Sequence, residues 1–138
     1  MATAKVIYTG DLSTEATHLK STNTLITDAP TDNNGLGRSF SPTDLVATAL
    51  GTCILTVMGI RAKDMGVDMI DAAADVTKIM ASNPRRIDKI VVTITMPAKS
   101  YTTKERKVLE AAAHHCPVAN SLKEGVESLT INWLDDQQ

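Results

Sequence analysis

Two cysteines and an adjacent pair of histidines carry most of the chemistry this chain can offer. Cys53 sits in Leu50-Gly51-Thr52-Cys53-Ile54-Leu55, and Cys116 in His114-His115-Cys116-Pro117-Val118-Ala119-Asn120-Ser121. They are 63 positions apart (116 − 53), so only folding can bring them together. Two thiols placed together can run a redox cycle in which one sulfur attacks and the other resolves the product. Two buried structural thiols are the alternative, because free cysteine is among the most buried residue types.

The local settings of the two thiols differ. Cys116 stands just ahead of Pro117, a residue suited to the first turn of a helix. The exposed N–H groups and dipole at such an end stabilise a thiolate, and protonated His114 or His115 would add positive charge. Cys53 lies mid-helix on an apolar stripe, where desolvation alone raises a thiol pKa. Local sequence therefore favours Cys116 as the reactive thiol; for Cys53 to be the nucleophile, an arginine or a second helix end must activate it. Neighbouring helical residues point about 100° apart, so His114 and His115 cannot face one metal ion together. With no Cys-x-x-Cys, no metal site is expected.

Two charged residues are candidates for orienting a site. Asp44 lies three residues after Ser41, where a carboxylate caps the helix backbone without any catalytic role. It is nine residues from Cys53, about 13–14 Å along one helix, so a partnership between them would have to cross a dimer interface. Arg38 lies in the loop before that helix and is the most mobile of Arg38, Arg61, Arg85 and Arg86. A solvated loop arginine is its plainer reading. The six methionines, Met58, Met65 and Met69 among them, suit a core or a pliable apolar pocket.

The elements that must position these residues follow an α+β pattern, βββ-α-ββ-αα-β. Residues 5–9, 15–20 and 23–27 read as short strands, followed by a Pro-, Asn- and Gly-rich loop over 28–37. Ser41 as N-cap, Pro42 at the first helical position and Asp44 open a helix of about 24 residues that stops at Gly66. Val46, Leu50, Cys53, Val57 and Ile60 repeat at spacings of 4, 3, 4 and 3, which predicts its buried face. Residues 69–80 favour a strand. Residues 87–96 alternate, with Ile90, Val92, Ile94 and Met96 inward. Thr102 or Thr103 caps a second helix with Val108, Leu109, Ala112 and Ala113 inside. A third runs from Val118 to Gly125, and a strand over 128–133 closes the chain.

Composition bounds the function class. A chain of 138 residues with 43% hydrophobic and 22% charged residues fits one globular domain, 1–138. A net charge of −2 and 3% aromatics provide neither the basic footprint nor the stacking platforms of a nucleic-acid binder. Asp44, the threonines and the glycines interrupt residues 42–60, the nearest approach to a membrane span. The N-terminus shows no basic segment followed by an apolar one, so reduced thiols in a cytoplasm are expected.

Ser41-Pro42-Thr43-Asp44-Leu45 with Ala49-Leu50-Gly51-Thr52-Cys53 resembles the Pro-x-[Asp/Glu]-Leu…Ala-Leu-Gly-x-Cys helix of the OsmC/Ohr family, the osmotically inducible and organic hydroperoxide resistance proteins. His115-Cys116-Pro117-Val118-Ala119-Asn120-Ser121 resembles that family's second motif. The resemblance implies an intertwined homodimer, with central helices wrapped by antiparallel sheet from both chains. It implies that Cys53 is the peroxidatic thiolate and Cys116 the resolving thiol. The substrate would be an organic hydroperoxide, hydrogen peroxide being a further one, with no bound cofactor and an external thiol reductant such as a dihydrolipoyl group. In the family an Arg–carboxylate pair from the other subunit activates the first cysteine. Here Thr43 stands where many family peroxidases have Glu, and Gly10 to Lys20 contains no Arg, which leaves Lys20 or Arg38 as substitutes. The alternative on the same fold is a non-catalytic protein binding a small apolar ligand between subunits.

Overall fold

A computed structural model describes residues 1–134. The described residues form β1 (Ala4–Gly10), β2 (Ser13–His18), β3 (Thr24–Asp28), α1 (Pro42–Met65), β4 (Ala73–Ala81), β5 (Arg86–Thr95), α2 (Thr103–Ala113), α3 (Pro117–Ser121) and β6 (Glu127–Asn132). This is the expected element order. The chain divides into two compact units, Met1–Val46 and Ala47–Gln138.

The first unit is a three-stranded antiparallel sheet, β1-β2-β3, with the loop that follows it. Asp11 and Leu12, both at positive φ, make the two-residue turn between Gly10 and Ser13. Its buried side chains are Ser13, Thr27, Asp28 and Ser41, all polar. Val6, Ile7, Tyr8, Leu25 and Ile26 are exposed. After β3 the chain folds back: Gly37 N–H donates to Ala29 O, and Asp28 N–H donates to Phe40 O at 3.0 Å. A Cβ on Gly35 would fall 1.8 Å from the Ala29 carbonyl oxygen, so only glycine fits where this loop closes.

The second unit holds the hydrophobic core, in which α1 lines up with Ile90, Val92, Ile94 and Met96 of the β5 segment. These alternate inward as expected, each fully buried, a burial worth roughly 1.5–3 kcal/mol per large aliphatic side chain. The sheet order is β4-β5-β6, with β4 antiparallel to β5 and β6 parallel to it. An all-antiparallel sheet is therefore corrected at one pairing: α2 and α3 form a crossover that returns the chain in the direction of β5. Thr102 caps α2 in a reciprocal capping box with Glu105. Trp133 packs edge-on to Tyr101 at 5.4 Å, lies 5.3 Å from the Arg106 guanidinium and donates Nε1–H to Glu110, tying α2 to the end of β6.

The ends of α1 are as expected, but its buried face is not. Gly66 N–H donates to Lys63 O and Val67 N–H to Ala62 O, closing the helix in a Schellman motif. The buried residues are Ala47, Leu50, Gly51, Ile54, Met58 and Ala62, whereas Val46 and Ile60 are exposed and Cys53 is half-buried. Small residues decide this: a Cβ on Gly51 would lie 2.7 Å from Val76 Cγ2, so the helix uses its Ala/Gly side for close approach to β4. By length and composition α1 is also apolar enough to cross a membrane, with a mean hydropathy of 1.7 over 18 residues. The expectation that Asp44, the threonines and the glycines break such a run is thereby corrected; here one side of the helix packs in a protein core. The third helix is shorter than expected, ending at Ser121, because Leu122 is extended.

Candidate active site

The second unit brings the two cysteines together. Cys53 is carried on the middle of α1. Cys116 sits at the N-cap of α3, where Pro117 starts the helix and directs the chain away from α2. The Cys53 side chain packs against the core cluster that contains Cys116, near enough to shift its thiol, and the two are not bonded as a disulfide. Cys116 is fully buried among core residues, while Cys53 keeps an open side.

The environment of Cys116 reverses the activation argued from local sequence. Burial pushes its thiol up, and the neighbouring Cys53 sulfur pushes it the same way. The backbone N–H groups of Ala119 and Val118 reach its sulfur and pull it down, as a helix start should, but they do not prevail. Cys116 is therefore held as a protonated thiol, which is poorly suited to lead an attack.

His114 and His115 follow the last turn of α2. Both are exposed; His114 ends α2, and the His115 ring nitrogen Nδ1 lies 2.7 Å from the Ala111 carbonyl oxygen. Among the described residues no group of three His, Cys, Asp or Glu is arranged to hold a metal ion.

In the first unit, Asp44 takes the capping role. Its carboxylate accepts from Ser41 N–H at 3.0 Å, and its own N–H donates to Ser41 Oγ at 3.1 Å. Arg38 is not a freely solvated arginine. Its Nε and backbone N–H both donate to Asp28 Oδ2, at 2.9 and 2.8 Å, and its Nη2 donates to Asp28 Oδ1 at 3.1 Å. Ser13 Oγ donates to Asp28 Oδ1 at 2.6 Å. The Arg38 guanidinium and these further donors hold the Asp28 carboxyl well below the usual carboxylate range, and Arg38 is raised in turn. Asp28 and Ser13 are not legible in the sequence, where a lone Asp in a Thr-rich strand gives no spacing signal. Thr9, Gly10, Asp11, Ile26 and Ser39 join these three around a cleft of about 560 Å³.

Comparison with known proteins agrees with this architecture. The OsmC-like protein family matches residues 34–130, which include both cysteines. A structure from Psychrobacter arcticus 273-4, named as an osmotic stress induced and detoxification response protein, is 45% identical over 96% of each chain, with a TM-score of 0.88. An organic hydroperoxide resistance protein OsmC from Legionella pneumophila is 18% identical, covering 97% of this chain and 98% of its own, with a TM-score of 0.67. An organic hydroperoxide resistance protein from Elizabethkingia anophelis is 14% identical over 98% and 97%, with a TM-score of 0.70. At that identity the last two share the fold alone. No curated protein sequence matches the chain.

Proposed function

Because the chain belongs to the OsmC-like protein family, we propose that it is a two-cysteine peroxidase reducing organic hydroperoxides, and hydrogen peroxide as a second substrate, in defence against oxidative stress. The observation that carries this reading is the proximity of Cys53 and Cys116 in one core cluster, with Cys53 the less buried of the two. The Cys53 thiolate attacks the distal peroxide oxygen; the O–O bond breaks, the alcohol leaves with a proton, and Cys53 becomes a sulfenic acid. The Cys116 sulfur then attacks the Cys53 sulfur, water leaves, and a disulfide forms. An external dithiol, such as a dihydrolipoyl group, restores both thiols, and no bound cofactor takes part. Arg38 and Asp44 enter as orienting or charge-balancing groups.

The same proposal makes the active form a cytoplasmic homodimer. The first unit buries only polar side chains and exposes Val6, Ile7, Tyr8, Leu25 and Ile26 over the two faces of its sheet, apolar area that favours a partner. Sedimentation or light scattering at micromolar concentration tests this; a monomer carrying full activity would contradict it. Peroxide consumption by wild type and by Cys53→Ser tests the chemistry: loss in the variant supports the cycle, and an unchanged rate ends it.

One observation favours a second reading, a non-catalytic protein that binds a small apolar ligand. Leu55, Gly59, Val67, Met69, Ile70 and Ala72 line an open cleft of about 730 Å³ in the second unit. Native mass spectrometry showing a co-purified apolar molecule, with no peroxide consumption, would decide for it.

A further inference from the structure

We propose that the reductant attacks the Cys53–Cys116 disulfide at Cys53 alone, and that Cys116 departs as the leaving thiolate. This rests on the disulfide cycle above and adds the direction in which that disulfide opens. Two observations of access carry it, and a third bears on the departing thiolate. Cys116 has no exposed surface, and its burial comes from its own chain, so a second copy can cover it further but never open it. Cys53 on α1 is only half-buried, so of the two cysteines it is the one open to approach from solvent. The N–H groups of Val118 and Ala119 lie close enough to the Cys116 sulfur to offset part of the cost that burial places on its charged form.

Attack on a disulfide depends on access to the sulfur struck and on the stability of the thiolate released. Access selects the direction here: Cys116 is enclosed, and its two neighbouring amides offset part of what burial costs the departing thiolate. A thiolate from the dithiol bonds to Cys53, the S–S bond breaks, and its electron pair leaves on Cys116, held by the two amides until it takes a proton. The second thiolate of the dithiol then attacks the reductant's own sulfur in the mixed disulfide and releases Cys53 as a thiolate. The oxidised dithiol carries away the two electrons' worth of oxidation. The released Cys53 is thus returned in its attacking form, and Cys116 in its protonated one.

The test makes the disulfide with diamide, so that it does not depend on peroxide turnover. The oxidised wild-type protein is exposed briefly to 2-mercaptoethanol, quenched in acid and mapped by peptide mass. The mercaptoethanol adduct is expected on Cys53 with at least about a tenfold excess over Cys116. Equal adducts, an excess on Cys116, or failure of diamide to join the two cysteines would overturn the inference. Peroxide consumption is measured on the same preparation. An adduct on Cys53 in a protein that consumes no peroxide keeps this inference and rejects the peroxidase; an adduct on Cys116 in an active protein does the reverse.

Discussion

Asp28 accepts three hydrogen bonds from one residue: the backbone N–H, Nε and Nη2 of Arg38. The carboxylate has almost no exposed surface, and Ser13 Oγ supplies a further donor. Charge-assisted, forked pairing of this kind fixes a guanidinium in orientation as well as in place. Arg38 is thereby a preset group of the first unit.

This pairing sets a pH dependence. The Asp28 carboxyl is lowered in the folded chain, so the stability it contributes is complete above the ordinary carboxylate pKa of about 3.9. That contribution is lost as pH falls through the lowered native value. Asp28→Asn is expected to melt below wild type by a constant margin between about pH 5 and 8, the margin shrinking in stronger acid. Thermal melts across that range check it; equal melting temperatures at neutral pH would contradict the role of the pair.

The unequal burial of the two thiols predicts unequal labelling. Native protein treated with iodoacetamide should lose Cys53 first, while Cys116 reacts at a comparable rate only in denaturant. Peptide mass mapping over time reads the two rates. Faster modification of Cys116 in the folded state would mean that its environment is not the one described.

Gly51 predicts a packing limit. With Val76 Cγ2 2.7 Å from where a Cβ would sit, Gly51→Leu should cost about 1–3 kcal/mol through overpacking between α1 and β4. Denaturant unfolding measures it, and a variant as stable as wild type would show that β4 yields freely.

Thr102→Ala removes one half of the capping box on α2, the helix that leads into Cys116. A loss of about 1 kcal/mol is expected, with peroxide consumption unchanged if α2 itself stays formed.

Much of this architecture is legible in the sequence where one local rule decides. Ser41-Pro42 and Gly66 fix the ends of α1, and strict alternation fixes the inward face of β5. The buried face of α1 is not legible, because apolar residues surround this helix. Ala47, Gly51 and Ala62 win the core side by being small, which no count of apolar spacing detects. The parallel entry of β6 depends on the crossover through α2 and α3, a tertiary fact. At the site, both cysteine motifs are visible, but only the family resemblance implies that they meet across 63 positions. The activation order reads wrongly from local sequence alone. The amides of Val118 and Ala119 do reach Cys116, yet burial and Cys53 outweigh them. The Asp28–Arg38 pair depends on a loop that doubles back through Gly35 and Gly37, and nothing in its spacing announces it.

The central claim is that Cys53 and Cys116 form a peroxide-driven disulfide. The most direct measurement adds one equivalent of an organic hydroperoxide such as cumene hydroperoxide to the reduced protein, then records intact mass beside a free-thiol count. The account predicts loss of two hydrogen atoms and of both thiols within a single turnover, abolished in Cys53→Ser. Two free thiols and an unchanged mass after exposure would contradict it.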